Sequence, residues 1–352
     1  MSDIKQDLLS LEPGELTRTL QEHFESREQP AYRSHQVQEW ILEKLAPDFQ
    51  AMTNLPREER RALEEAFVLD EAEAATISRS GDGTVKHLWR LEDGELVESV
   101  LIPTSQRLTL CLSSQAGCAM GCTFCSTGYG GFRRNLTAGE IAAQYRASQR
   151  WAQEGEGYGR ISNVVFMGMG EPLANRKALF PALTLLNQGY GLGARRITVS
   201  TVGLVPGILA LAERPEQFRL AISLHAPESE LRKTLVPLEE RYPLPVLMEA
   251  LKAFDDAGGK RITFEYTLID GINDDLALAP SLADLAMSIQ AFVNLIPFNP
   301  IPDRDWKPSP PERIQAFGRI LEARGVSVAV RESRGRDIDA ACGQLRATTL
   351  EG

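Results

Sequence analysis

Six apolar, β-branched segments recur along the chain, and helical patterns fill the spaces between them. The strand-like runs lie at 108–113, 161–167, 196–201, 218–224, 261–268 and 291–296, and the helix-like ones near 138–151, 177–187, 205–213, 244–257, 276–288 and 311–323. Alternation of this kind means βα units, and consecutive βα units build a parallel sheet with helices packed against it. Six such units, rather than eight, predict an α/β fold of the partial (βα)6 barrel type, whose chemistry belongs to the loops at the carboxyl ends of the strands.

The rest of the chain has a different texture. Residues 1–75 read as a small helical N-terminal accessory domain. Pro13 enters a helix carrying Leu16, Leu20 and Phe24, a second from Ser34 carries Val37, Trp40, Ile41 and Leu45, and Pro56 opens a third. Its pattern suits a stabilising or dimerising appendage as well as a substrate-docking module. Residues 76–106 read as a connecting hairpin, because Asp93-Gly94 separates the alternating runs 84–91 and 96–103. Residues 107–352 are left for the barrel and a C-terminal segment, and the proline-rich stretch 297–311 predicts a strap over one end of the sheet.

Charge and cysteine content narrow the setting. A net charge of −10 argues against a broad basic surface, which lowers the expectation of nucleic-acid binding without excluding it. Local basic groups remain at Arg133-Arg134, Arg195-Arg196, Lys260-Arg261 and Arg331, Arg334 and Arg336. No apolar run is long enough to span a membrane, and the N-terminus has no signal-peptide character, so the expected location is the cytoplasm. In that compartment five cysteines are more readily ligands or reactive groups than a disulfide framework.

Three of the five stand as Cys118-x3-Cys122-x2-Cys125 in the loop after the first barrel strand. A structural zinc ion takes four protein ligands, and so does a [4Fe–4S] cluster held by protein alone. Three thiolates on a cluster leave one iron open to a small molecule. Of the remaining two, Cys111 shares a strand face with Thr109 and Ser113, while Cys342 lies among Asp337, Asp339 and Gly343 in a segment that reads as exposed and mobile. Polar groups also close the other strands: Gly170-Glu171-Pro172 after the second, Ser200 on the third, Ser223-Leu224-His225 on the fourth and Asn299 after the sixth. Each is ordinary alone, but together they fall at one end of the sheet.

Cys-x3-Cys-x2-Cys with Phe124 before the last cysteine, followed by Gly-Glu-Pro after the next strand, resembles the radical S-adenosylmethionine (SAM) superfamily. The segments Cys111-Leu-Ser-Ser-Gln-Ala-Gly-Cys118, Gly131-Phe-Arg-Arg-Asn-Leu136, Met167-Gly-Met-Gly-Glu-Pro-Leu173, Ser223-Leu-His-Ala-Pro227, Asn294-Leu-Ile-Pro-Phe-Asn-Pro300 and Arg336-Asp-Ile-Asp-Ala-Ala-Cys342 are similar, more narrowly, to the RlmN family of RNA adenine C2-methyltransferases. The resemblance runs from about residue 95 to 346. It implies that Cys118, Cys122 and Cys125 ligate a [4Fe–4S] cluster whose open iron binds SAM. It further implies that Gly170 and Glu171 hold the SAM amino group, with Ser200, Ser223, Leu224, His225 and Asn299 lining the rest of that pocket. Cys342 would be the residue that is methylated, Cys111 its partner and Glu98 the base.

The chemistry explains why such apparatus exists. The C2 carbon of adenine lies between two ring nitrogens and is no nucleophile, so it cannot displace a methyl group from SAM, whereas a radical can add to it. In the family scheme Cys342 takes a methyl by displacement, a radical made from a second SAM activates that methyl, and the product stays linked to Cys342 until Cys111 attacks the Cys342 sulfur. The implied substrates are an adenosine in the peptidyl-transferase region of 23S rRNA and the adenosine following the anticodon in tRNA. An electron donor such as flavodoxin or ferredoxin is implied as well. The target base must leave its stack, and Arg133, Arg134, Arg334 and Arg336 are candidates for phosphate contacts. Alternatives are the related C8-methylase that confers antibiotic resistance, a non-catalytic iron–sulfur RNA-binding assembly factor, for which Cys342 would be dispensable, and a radical SAM enzyme acting on a small molecule.

Overall fold

The computed structural model describes residues 5–154, 157–258 and 261–347. Lys260 of the basic groups named above lies outside them. At the N-terminus, strands β1 (Gln6–Asp7) and β2 (Phe67–Val68) pair in parallel around helices α1 (Pro13–Ser26), α2 (Tyr32–Leu42) and α3 (Arg57–Ala66). Leu16, Leu20, Phe24, Val37, Ile41 and Leu63 make a core of their own there. The second helix stops at Leu42, short of the expected Leu45, which turns at φ 54° and packs instead into the large core of the barrel.

The chain continues through β3 (Glu73–Arg79), β4 (Val85–Arg90), β5 (Leu96–Pro103), β6 (Leu108–Cys111), β7 (Gln115–Gly117), α4 (Ser126–Tyr129), β8 (Phe132–Asn135) and α5 (Ala138–Glu154). Then β9 (Asn163–Phe166), α6 (Arg176–Thr184), β10 (Ile197–Thr201), α7 (Val205–Ala212), β11 (Arg219–Ser223), α8 (Ser229–Leu235), α9 (Leu244–Asp256), β12 (Ile262–Leu268), α10 (Leu278–Ser288), β13 (Phe292–Pro297), α11 (Pro311–Ala323) and β14 (Val328–Val330) follow. One sheet runs in the order β14-β13-β12-β11-β10-β9-β6-β5-β4-β3. Its members β6 and β9 to β14 are mutually parallel, as βα connections require, and β3 to β5 join antiparallel at the β6 edge. The fold is therefore the expected α/β partial barrel.

Two strands that extend the large sheet at its edges were not legible in the sequence. Val328–Val330 is three residues long and half-exposed, and Glu73–Arg79 is an edge strand whose side chains are mostly exposed, so neither carries an apolar period. With the latter, the predicted hairpin becomes a three-stranded extension continuous with the barrel sheet. This extension grips the C-terminal segment: Asp82 accepts from Gly335 N at 3.0 Å, Asp337 accepts from Ser80 Oγ at 2.5 Å and Lys86 Nζ donates to Asp339 O at 3.3 Å. A segment that reads as mobile is thus tethered along its length.

Candidate active site

Three structural devices shape the cysteine loop. Strands β7 and β8 pair across its base, with Cys118 N donating to Gly131 O at 3.0 Å. Gly117 makes that closure possible: it sits at φ 77°, and a Cβ there would meet Gly131 O at 1.8 Å. On the far side, Thr123 N donates to Leu235 O at 3.0 Å and Ser126 N to Gly343 O at 2.7 Å, so the loop is held between α8 and the C-terminal segment.

Cys118, Cys122 and Cys125 line one cavity of about 940 Å³, counting its open mouth. Around the same cavity stand Gly170, Glu171, Ser200, Ser223, His225 and Cys342 from separate strand ends. Leu224 does not reach it; its side chain is fully buried in the core, as strand alternation requires of the residue between Ser223 and His225. Asn299 lies outside the lining too, donating its Nδ2 to Cys342 O at 3.1 Å and accepting from Arg336 Nε at 2.9 Å.

Burial sets the electrostatics. It pushes the Cys118 thiol up to about 12 and Cys122 well above its usual value, so both are neutral thiols until a cationic group arrives and displaces their protons. Among the described residues no three His, Cys, Asp or Glu side chains close on a single-ion site. A four-iron cluster is wider than an ion and takes its thiolates from the wall of a cavity, which is the arrangement these three cysteines have. Other orphaned groups suit a polar ligand beside it. His225 Nδ1 accepts from Thr267 N at 3.0 Å, which leaves the proton on Nε2, and that atom is buried without a partner. Burial, with Arg232 adding to it, lowers the His225 pKa to about 3, so the ring is a neutral donor. Glu171 is pushed up to about 7 by burial although it accepts from Leu173 N at 3.1 Å and Val202 N at 2.9 Å.

Cys342 lies where two cavities meet. It lines the cavity just described and a second one, which also holds Cys111, Arg331 and the β5 residues Val100 and Ile102. Cys342 is exposed toward these cavities; enclosure within their walls raises its thiol, against the pull of Arg331, while full burial pushes Cys111 up to about 12. Glu98, on the same face of β5 as Val100 and Ile102, is buried beside that segment and accepts from Arg346 N at 2.8 Å. Sequence reasoning passed over Glu265 and assigned Arg331 no role. Glu265 Oε1 accepts from Asn294 at 2.9 Å, its other oxygen has no hydrogen bond, and Arg331 stands 3.7 Å away. A single charged residue within the mostly buried run Ile262–Leu268 was the available signal. Arg134 is ion-paired to Asp93 and Glu140, which makes it the poorest of the four phosphate candidates.

Known proteins share this organisation. Residues 112–278 match the Radical SAM superfamily, and residues 7–69 match the ribosomal RNA large subunit methyltransferase N-terminal domain. A probable dual-specificity RNA methyltransferase RlmN of Gemmatimonas aurantiaca is 48% identical over 98% of this chain and 94% of its own length. The dual-specificity RNA methyltransferase RlmN of Anaeromyxobacter sp. is 49% identical, over 90% of this chain and 85% of its own. The crystal structure of a radical SAM methyltransferase from Sphaerobacter thermophilus superposes with a TM-score of 0.91 at 45% identity, covering 97% of this chain and 99% of that one. The chain therefore belongs to the RlmN family of radical SAM RNA methyltransferases, enzymes that work with a [4Fe–4S] cluster and SAM.

Proposed function

We propose that this enzyme methylates C2 of an adenosine in 23S rRNA, and of the adenosine next to the anticodon in tRNA, by way of a methyl group carried on Cys342. The observation that carries the reading is the position of Cys342 in the walls of two cavities, one shared with Cys118, Cys122 and Cys125 and the other with Cys111. A residue that must receive a methyl beside the cluster and later meet a second thiol needs both neighbours.

Cys118, Cys122 and Cys125 would hold the cluster, which when bound would supply the reducing electron for radical formation from SAM. The chain's own residues do the rest. Cys342 acts as a nucleophile and carries the methyl as a thioether, with the Arg331 guanidinium nearby to favour its thiolate. Gly170, Glu171, Ser200, Ser223 and His225, which line the cavity, orient SAM, and Asn299 supports them from behind through its bond to Cys342 O. Glu98 takes the C2 proton. Cys111 attacks the Cys342 sulfur, which forms an S–S bond, breaks the S–CH2 bond and frees the methylated base, whose carbanion takes up a proton. A flavodoxin- or ferredoxin-type donor supplies the cluster's electron.

The test is anaerobic turnover of the iron-reconstituted protein with methyl-deuterated SAM and unmodified 23S rRNA or tRNA, with the digested nucleosides read by mass spectrometry. 2-Methyladenosine bearing two deuteriums from the label, absent with Cys342→Ala, is the expected result. 8-Methyladenosine would make this a C8-methylase, and SAM cleavage without methylated nucleoside would remove RNA as the substrate.

A further inference from the structure

Glu98 does not stand alone. Its Oε1 lies 2.9 Å from Lys86 Nζ, and Oε2 accepts the Arg346 main-chain N–H at 2.8 Å. Lys86 is on β4 opposite Val100, two residues along β5 from Glu98, so the contact is a cross-strand diagonal. The same ammonium reaches Asp339 O at 3.3 Å, three residues before Cys342, in a residue held at φ 50°. One side chain thus joins the carboxylate to the segment that carries the cysteine.

Resting on the function proposed above, we propose that Lys86 is the positioning residue for the base: its ammonium keeps Glu98 a carboxylate and fixes it to the Cys342 segment. The groups that face Glu98 divide cleanly. Burial is the largest influence and, with the Asp339 carboxylate, holds the Glu98 carboxyl above its usual value, whereas Lys86 and the Arg346 N–H pull the other way and favour the ionised form. Lys86 is the one full positive charge among them, and its side chain is only 15% exposed and that of Glu98 5%, so solvent screens the pair less than a surface ion pair. The step it serves is a proton transfer from the thioether adduct once that adduct has given up one electron, for which a bound iron–sulfur cluster would be the acceptor. The C2–H bond breaks, its electron pair stays in the ring, and the proton goes to Glu98.

The experiment compares the holoenzyme with Lys86→Met, Lys86→Arg and Glu98→Gln, each with labelled SAM and 23S rRNA. In Lys86→Met the mass increment of one methyl on Cys342 persists, a covalent protein–RNA species accumulates on denaturing gels, and release of methylated RNA slows roughly 10- to 100-fold, less than the roughly 10²–10⁴-fold that loss of the base itself costs, because Lys86 acts only through Glu98. A base must be ionised to act, so its activity is lost as pH falls through its pKa. Removing Lys86 raises that pKa, and the acid limb of the release rate moves to higher pH by a unit or more. Lys86→Arg restores the charge and most of the rate. A 13C-carboxyl NMR titration of the cluster-free protein, with Glu98 assigned through Glu98→Gln, shows the same upward displacement without turnover.

The proposal is overturned if Lys86→Met lowers Cys342 methylation and release in equal measure, if the acid limb stays in place, or if Lys86→Arg is no better than Lys86→Met. Full activity in Glu98→Gln removes the base, and the role of Lys86 with it. Failure of the unsubstituted protein to methylate RNA strikes the proposed function, and the NMR titration then still decides whether Lys86 sets the ionisation of Glu98.

Discussion

The sequence marks the residues that touch chemistry more readily than those that hold them in place. Cys118, Cys122, Cys125 and Cys342 stand out because thiols at fixed spacing are rare. Glu265 matters through Arg331, 66 residues on, and Lys86 through Glu98 on the next strand and Asp339, 253 residues on, and no local pattern records such partners. His225 belongs to both classes. Its place after Ser223 was legible, but the left-handed turn at φ 58° that aims its ring, and the Thr267 N–H that fixes its tautomer, come only from the fold. A neutral donor with a pKa near 3 stays neutral throughout the working range. SAM affinity, measured by equilibrium dialysis, is therefore expected to show no titration attributable to His225 between pH 5.5 and 8. His225→Ala, which removes the buried donor, is expected to weaken binding about tenfold, in line with about 1.4 kcal/mol for one hydrogen bond. Equal affinity in that variant would mean that His225 Nε2 does not face SAM.

Among elements, those with long apolar periods were predicted and those defined by pairing were not. The six barrel strands announced themselves because each carries apolar residues at alternate buried positions, such as Val164 and Phe166, Ile197 and Val199, and Val293 and Leu295. β3, β14 and the ribbon β7–β8 are short or exposed, and their existence is a fact about neighbours. The C-terminal segment is the clearest case: Asp337, Asp339 and Gly343 read as loop, yet Thr127 Oγ1 donates to Leu345 O at 2.6 Å and Gln344 Nε2 to Pro300 O at 3.0 Å. Two predictions belong here. Gly117→Ala cannot keep the β7–β8 clamp, since its methyl would collide with Gly131 O, so the reconstituted variant is expected to hold several-fold less iron while its circular dichroism is unchanged. Unchanged iron content would show that the clamp does not shape the cluster loop. Arg232, on α8, is buried and pairs with Glu239 while donating to Val202 O at 2.6 Å and Leu224 O at 3.2 Å, which ties together the loops after β10 and β11. Arg232→Met leaves Glu239 buried and unpaired and is expected to cost about 3–5 kcal/mol in urea unfolding.

At the scale of the whole molecule the unresolved tension is charge, because an RNA enzyme carrying −10 must bind a polyanion. The fold eases this by fixing the pieces rather than by recolouring the surface. The N-terminal helices are docked on α5 through Arg146, which is fully buried, donates to Ile41 O and Ala46 O, and pairs with Glu71. The proline-rich stretch lies across the cysteine loop, with Arg304 Nε donating to Tyr129 Oη at 2.6 Å and Arg346 paired to Asp303 at 3.2 Å. Of the four arginines that the sequence suggested for phosphate, Arg134 is committed to two carboxylates, whereas Arg334 and Arg336 bond only to uncharged oxygens and Arg133 is exposed. Three phosphate contacts at about 0.7 counterions each predict that log Kobs for single-stranded RNA falls with log salt at a slope near −2, a shallow dependence for an RNA-binding protein. Binding of a loop RNA followed by fluorescence anisotropy across a KCl series measures it. A slope steeper than about −5 would mean an extended basic track that these arginines do not make. A slope near −2 instead assigns most of the affinity to the unstacked target base and its pocket, so that an acidic enzyme selects RNA by the shape of one base rather than by the charge of many phosphates.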